Sequence, residues 1–342
     1  MAPRTSDPRY SLIKNKESEL ILLTGATGFV GSALITRFLQ DNTSVRAAVR
    51  REIYEFPKGV DLVQVGDLTP DIDWRGALTG VDAIVHLAAR VHVMHDVAVD
   101  PLAEYRRVNV EGTLNLALKA ALAGVRRFVF VSSVKVNGES TVLGKPFSPD
   151  DPPDPQDPYG ISKREAEDGL FALSRETGME VVIIRPTLVY GPEVKANFYI
   201  MMQWLHKGVP LPFGAVQNKR SLVALDNLVS FIVHCLDHPK AVNEIFLISD
   251  GEDVSTTELL QKMANAFGKR ALLLPVPVAL MKFFAYLLGK GDVAQRLFGS
   301  LQVDSSKARD LLGWRPVTTM DEQLKKTADA FLKDAKTLKE RS

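Results

Sequence analysis

Residues 24–31 read TGATGFVG, directly after the apolar run Leu20–Leu23 and directly before a helical pattern. Strand, glycine turn and helix in that order constrain this chain more than any other feature. Glycine lets the backbone turn sharply, and the first N–H groups of the following helix have no partner within it. A backbone of this kind can close on an anion, so the stretch reads as a cradle for the pyrophosphate of a dinucleotide.

The rest of the first half agrees with that start. Strand-like runs at Leu20–Leu23, Ser44–Val49, Leu62–Val65, Ala83–Leu87, Phe128–Ser132 and Val181–Ile184 alternate with helical stretches near 30–40, 102–123 and 158–177. Such alternation predicts an α/β fold: a doubly wound parallel sheet of the Rossmann kind, with helices on both faces and ligands at the carboxyl ends of the strands. Residues 19–186 read as this nucleotide-binding domain, behind a flexible polar tail at 1–18. After Arg185 a series of Pro and Gly residues breaks the pattern into short pieces. Residues 187–342 read mainly as a smaller C-terminal α/β substrate lobe, with Asn243–Ile248 returning as a strand to the first sheet. Within it Asp226 reads as the cap of a helix Asn227–Leu236 that packs Cys235 inward, Thr256 and Thr257 open another helix, and a last one starts near Met320.

Composition bounds the class. The chain is 46% hydrophobic and 24% charged with a net charge of +1, which is ordinary globular composition and offers no nucleic-acid footprint. A single cysteine, Cys235, precludes an internal disulfide, and with no signal-like segment a cytoplasmic location is expected. Ala271–Gly289 is almost wholly apolar but carries Pro275, Pro277 and Lys282. It is therefore read as no integral membrane segment but as a short strand, Ala271–Val276, and a buried helix, Val278–Leu288. Peripheral contact with the inner face of a membrane is the alternative. Residues 146–158 hold six prolines and four aspartates in thirteen positions, so they form a stiff loop, either a solvated connector or a wall of the site, that ends beside Tyr159.

Tyr159 and Lys163 stand at i and i+4, on one helix face. A phenol titrates near 10, and a neighbouring ammonium favours its phenolate, so the pair can trade a proton with a carbonyl/alcohol couple. Ser133 lies just past the strand Phe128–Ser132, where its hydroxyl can bond the same substrate oxygen. His86 reads as structural, and His92 and His95 lie near the cofactor edge without carboxylate partners. No metal-ligand cluster is evident.

With TGATGFVG, the motifs GDL (66–68), HLAA (86–89), NVEGT (109–113), VSSVKVNG (131–138), YGISK (159–163) and RPTLVYGP (185–192) resemble those of the extended short-chain dehydrogenase/reductases. Within these the chain is similar to the NAD-dependent epimerase/dehydratase group that acts on nucleotide sugars, from about residue 19 to 330. The resemblance implies a catalytic trio of Ser133, Tyr159 and Lys163. It places Gly25, Thr27, Gly28, Phe29, Val30 and Gly31 at the pyrophosphate, and Asp67 and Leu68 at the adenine. Leu87, Ala88, Ala89, Tyr159, Lys163 and Pro186 lie along the cofactor, with Asn109 in support. For the UDP-sugar it implies Ser133, Asn197, Phe198, Arg220 and, more weakly, Arg296. Relatives often dimerise through the helices equivalent to 102–123 and 158–177, so a homodimer is expected.

Departures from the family pattern steer the reading. Arg50 and Arg51 follow the second strand where many NAD-using relatives carry an acid. A guanidinium suits a 2′-phosphate, so NADP(H) is favoured and NAD(H) is the alternative, as is a merely solvated basic turn. Val134 and Lys135 replace the Asp-Glu pair of the 4,6-dehydratases, which argues against that elimination chemistry. Leu188 stands where typical UDP-galactose epimerases carry Asn, and Asn137 replaces a tyrosine. On these grounds the expected activity is hydride transfer at C4 of a UDP-(N-acetyl)hexosamine-type sugar. The favoured reaction is reduction of UDP-2-acetamido-2,6-dideoxy-4-hexulose for surface polysaccharide. The alternative is a C4 epimerase, acting on a UDP-glucose or UDP-GlcNAc type of sugar or on a polyprenyl-diphosphate-linked one. A non-catalytic regulatory role fits poorly with an intact Tyr159 and Lys163.

Overall fold

The computed structural model describes residues 19–53, 55–91, 100–289 and 291–340, apart from the side chains of 292, 293, 295, 296 and 336–340. The tail 1–18 and His92 and His95 lie outside the described residues. The first half runs β1 (Leu20–Thr24), α1 (Phe29–Gln40), β2 (Ser44–Val49), β3 (Asp61–Gln64), α2 (Arg75–Leu78), β4 (Ala83–His86), α3 (Pro101–Tyr105), α4 (Thr113–Leu122), β5 (Arg127–Val131), α5 (Pro158–Thr177) and β6 (Glu180–Pro186). The second half runs β7 (Leu188–Tyr190), α6 (Ala196–Lys207), β8 (Arg220–Ala224), α7 (Leu225–Asp237), β9 (Glu244–Ile248), β10 (Asp253–Val254), α8 (Thr256–Ala266), α9 (Val278–Leu287), α10 (Gly291–Phe298), α11 (Ser306–Leu312) and α12 (Met320–Glu340).

Seven strands form one sheet in the order β3-β2-β1-β4-β5-β6-β9, every neighbouring pair parallel. Central strands buried on both faces read as unbroken apolar runs, which is how LILLT and RFVFV are composed. One face packs under α1, α7 and α11, with Phe38, Phe231 and Trp314 among the core residues. The other packs under α4 and α5, with Leu116, Ala166 and Leu170. A second sheet, β10-β8-β7, lies against α6, α8 and α12 through Tyr190, Phe198, Leu222 and Leu260. The chain order reverses direction across the sheet between β1 and β4, and that switch point opens a crevice at the strand carboxyl ends.

Several expectations are corrected. The stretch 102–123 is helical as expected, with the refinement that Arg106–Gly112 winds as a π-helix between α3 and α4. Asp226 does not cap α7. Ala224 is the capping position, and Asp226, inside the first turn, accepts hydrogen bonds from Gln323 and Lys326 of α12. Ala271–Val276 makes an isolated bridge, Leu273 with Leu211, rather than a strand. The helix expected to be buried at 278–288 is α9, which has no buried residue. Cys235 is packed in the core, where burial pushes its thiol up.

A buried ion pair ties α5 to β6. Arg185 donates from Nε and Nη2 to the Glu167 carboxylate at 3.0 and 2.5 Å, and both side chains are within 1% of complete burial. Glu167 also accepts from Ser132 Oγ at 2.5 Å, and Arg185 Nη1 donates to Asn137 Oδ1 at 2.9 Å. Asn137, whose departure from the family pattern had no evident consequence in the sequence, thus completes this network. Removing one partner leaves a buried charge uncompensated, so Arg185→Ala or Glu167→Ala should cost about 3–5 kcal/mol. Denaturant midpoints will show this, and the double substitution should cost less than the sum of the two.

Candidate active site

The glycine turn fits a pyrophosphate. Gly25 has φ of +71°, and a Cβ there would lie 2.9 Å from the Ala88 backbone nitrogen. A Cβ on Gly31 would stand 2.1 Å from the Gly25 carbonyl oxygen, so α1 packs directly on the turn. The N-terminus of α1 has no side-chain cap and no acidic residue in its first turn. Its free N–H groups and the positive end of its dipole therefore face the crevice without competition, as an anion requires. Thr27, Phe29 and Val30 belong to this turn and helix start.

Beneath the turn runs a buried polar chain. The Thr24 hydroxyl accepts the backbone N–H groups of Leu87 and Ala88, both at 3.2 Å, so its proton is directed to His86 Nδ1 at 2.7 Å. Nε2 of His86 must then carry the ring proton and donates it to Thr113 Oγ1 at 2.9 Å. This links the ends of β1 and β4 to the start of α4 and shapes the wall formed by Leu87, Ala88 and Ala89. Burial, and secondarily the charge of Lys163, holds the imidazole neutral with its pKa lowered to about 3.

Asn109 sits in the π-helical stretch and is 1% exposed. It accepts the Arg90 backbone N–H at 2.7 Å and donates to the Arg90 carbonyl and to Ser162 Oγ, each at 3.0 Å. Ser162 in turn donates to the Tyr159 carbonyl at 2.8 Å, so Asn109 holds the first turn of α5 from behind.

Ser133 caps the short helical turn Val134–Val136, its Oγ accepting the Lys135 N–H at 3.2 Å. Tyr159 is the second residue of α5, edge-on to Tyr105 at 6.2 Å between ring centroids. Lys163 Nζ donates to the Val131 carbonyl at 2.9 Å and lies 4.3 Å from the Phe130 ring centroid. The three residues thus meet where β5 ends against α5. The expectation that the Lys163 ammonium draws the phenol toward phenolate is not met in the protein alone. Lys163 Nζ is 5.9 Å from the Tyr159 ring centroid, and burial lowers its own pKa to about 7. Burial, with Asp157 and Tyr105, pushes the Tyr159 phenol up.

Two supports of Tyr159 were not foreseen from sequence. Asp157 caps α5 by accepting the Gly160 N–H at 2.7 Å, and Lys135 Nζ binds both Asp157 and Glu139, the latter at 3.0 Å. Lys135, read in the sequence only as the loss of a dehydratase residue, therefore clamps the helix that carries Tyr159. The proline-rich loop is fastened to the same region: Asp154 N–H bonds the Val136 carbonyl, and Asn137 Nδ2 bonds the Ser148 carbonyl, both at 3.0 Å. The loop is thus tied to the turn that follows Ser133 and is not a free connector.

Arg50 and Asp67 stand at the far end of the crevice with their charged atoms 3.7 Å apart, both exposed, and Leu68 lies beside Gly112. Pro186 closes β6 against Ile248. Arg220 donates to the Gly299 carbonyl at 3.2 Å; burial lowers its pKa, and the charge of Glu139 acts in the opposite direction. It therefore shares a neighbourhood with the Lys135–Glu139–Asp157 cluster. Asn197 is exposed at the start of α6, whereas the Phe198 ring is core, stacked on Tyr190 at 5.7 Å, and has only backbone to offer a ligand. Arg296 lies on α10, where its side chain is outside the description. Glu193, between β7 and α6, and Ala196, which opens α6, hold φ of 66° and 55°, a strained approach that sequence reading did not anticipate. No group of metal-ligating side chains is found among the described residues.

A parallel sheet with a glycine cradle at its switch point, and Ser133, Tyr159 and Lys163 at the adjoining strand end, define a dinucleotide-dependent enzyme of the short-chain dehydrogenase/reductase kind. The chain matches the model of the NAD dependent epimerase/dehydratase family over residues 21–249, and it belongs to that family. It is 51% identical over 319 residues to a UDP-glucose 4-epimerase of Vibrio cholerae, covering 93% of this chain and 97% of the relative. It is 30% identical over 290 residues to the N-acetyl-alpha-D-glucosaminyl-diphospho-ditrans,octacis-undecaprenol 4-epimerase of Escherichia coli O157:H7, covering 84% and 83%. Its fold is shared with the crystal structure of UDP-glucuronic acid 4-epimerase from Bacillus cereus in complex with NAD. The TM-score there is 0.73 at 22% identity, over 92% of this chain and 99% of that one.

Because His86 binds a proton near 6.5 when unfolded but only near 3 when folded, protons favour the unfolded chain across that window. Stability should therefore fall as pH drops from about 6.5. His86→Gln should flatten that slope in urea midpoints compared at pH 7 and pH 5. Gly31→Ala should abolish dinucleotide binding, measured by cofactor fluorescence, because its Cβ cannot coexist with the Gly25 carbonyl.

Proposed function

We propose that this chain is a C4 epimerase of UDP-hexoses that works with a retained NAD. The observation that carries the proposal is the 51% identity, over nearly the whole chain, to a relative named for that activity. The site supports it. Arg50 has the carboxylate of Asp67 at 3.7 Å. An acid so placed disfavours a 2′-phosphate, so the basic turn does not select NADP(H), and the case for a one-way NADPH reductase loses its main argument. The NAD named for the family and for the B. cereus structure accords with this.

A dinucleotide held over Gly25, Gly28 and Gly31 would supply a reversible hydride acceptor for the sugar carbon. The residues of the chain manage the proton and the geometry. Tyr159 accepts the proton of the C4 hydroxyl and gives it back after the sugar has turned over, while Ser133 hydrogen-bonds the same oxygen. Lys163, whose Nζ lies 5.9 Å from the Tyr159 ring centroid, would favour the phenolate together with the positive ring of a bound oxidised nicotinamide. The Lys135–Asp157 clamp and Asn109 keep α5 in register, so the phenol meets the sugar oxygen without a search. Arg220 is suited to the sugar diphosphate, since its planar fork pairs with phosphate oxygens.

The purified protein should interconvert UDP-glucose and UDP-galactose with no added cofactor, followed by chromatography of the nucleotide sugars. Absence of that conversion, together with stoichiometric NADPH oxidation on a UDP-4-keto-6-deoxyhexosamine, would establish the reductase instead. Tyr159→Phe should lower kcat by roughly 10²- to 10⁴-fold and leave the bound dinucleotide in place; unchanged turnover would refute the proton role.

A further inference from the structure

The helix α9 does not behave like a helix of a soluble core. Its sequence, VALMKFFAYL, is apolar on every face but for one lysine, yet none of its residues is buried. Leu280 is 47% exposed, Phe283 58%, Phe284 54%, Tyr286 65% and Leu287 66%, and Leu288 just beyond is 73% exposed. Isolated exposed apolar residues are ordinary, but a contiguous aromatic and aliphatic patch of this kind marks a surface that is covered by something else.

Charge indicates what covers it. Between Glu258 and Asp292 the sequence carries Lys262, Lys269, Arg270, Lys282 and Lys290 and no acidic residue, in a chain whose net charge is only +1. Lys262 is neutralised by Glu252 and Asp321 and Lys269 Nζ donates to the His206 carbonyl, whereas Arg270 and Lys282, the latter on α9 itself, are exposed. Two copies meeting face to face across α9 would bring like charges together, whereas an anionic surface would complement them. An apolar helix flanked by Lys and Arg is the pattern of a helix lying in the plane of a bilayer interface. At ten residues α9 is about 15 Å long, half of a hydrocarbon core. Among the described residues no helix is long and apolar enough to cross a membrane.

We propose that α9 docks this enzyme onto the surface of an anionic phospholipid bilayer, with Leu280, Phe283, Phe284 and Leu287 entering the acyl boundary and Lys282 and Arg270 at the headgroups. On the reading that Arg220 binds the sugar diphosphate, the docking face also borders the substrate side of the molecule. Lys282 and Tyr286 line a cavity of about 260 Å³ with Ser140, Thr141, Gly299 and Ser300, and Arg220 donates to the Gly299 carbonyl. A docked enzyme would therefore hold that side of its site close to the membrane.

The test is cosedimentation of the full chain with vesicles of phosphatidylcholine alone and of phosphatidylcholine with phosphatidylglycerol. Binding should be at least about tenfold tighter to the anionic vesicles and should weaken with salt. The double variant Phe283→Ser, Leu287→Ser should lose binding by a similar factor while keeping its turnover of a soluble UDP-sugar, since neither residue belongs to the catalytic site. Failure to bind anionic vesicles, or binding unchanged in the double variant, would overturn the proposal. So would a solution dimer that the double variant dissociates, because α9 would then be covered by a second copy. Each readout is independent of which sugar the enzyme turns over.

Discussion

The meeting of β1 and β4 is the contact on which the rest depends. Gly25 leaves β1 in a left-handed conformation and passes so close to Leu87 and Ala88 that no side chain fits between them. The Thr24 hydroxyl fastens the same two backbones, and His86 passes the restraint on to Thr113. A crevice between two parallel strands is only as precise as the separation of their ends. Here that separation is set by backbone contact and a satisfied buried chain rather than by flexible side chains.

The proton-transfer side is held by a different device. Tyr159 rides on α5, and α5 is gripped at its start and its middle. At the start Asp157 caps it under the hold of Lys135, and Asn109 braces it through Ser162. In the middle Glu167 anchors it to Arg185 of β6 and to Ser132, next to Ser133. Buried ion pairs contribute little net stability when desolvation is counted, but breaking one is costly. The Glu167–Arg185 pair thus sets the register of Tyr159 and Lys163 against the strand end that carries Ser133.

Much of this was legible from the chain. The alternation of apolar runs with helical patterns predicts the strands of the first sheet to within a residue or so, because burial on both faces leaves little choice of composition. The stretch 102–123 was less legible, since its apolar pattern shows a helix but not the π-helical winding at Arg106–Gly112 that carries Asn109. Asp226 has the right residue type for a cap, but α12 captures its carboxylate. For Lys135, Asn137 and Glu167, nothing local indicates a partner that lies across the fold.

The sequence by itself determined that this protein is a doubly wound α/β nucleotide-binding fold with a serine at one strand end and a tyrosine and a lysine on one face of the helix beside it. Glycine conformations, apolar periodicity and i, i+4 spacing are local properties and can be read along the chain. Tertiary structure alone decided the electrostatics: which charges find partners across the fold, as Arg185 finds Glu167, and which groups lose their solvent, as Lys163 and His86 do. It also decided that the apolar helix α9 lies outside the core. Those outcomes depend on desolvation and on partners distant in sequence, and neither exists until the chain has folded.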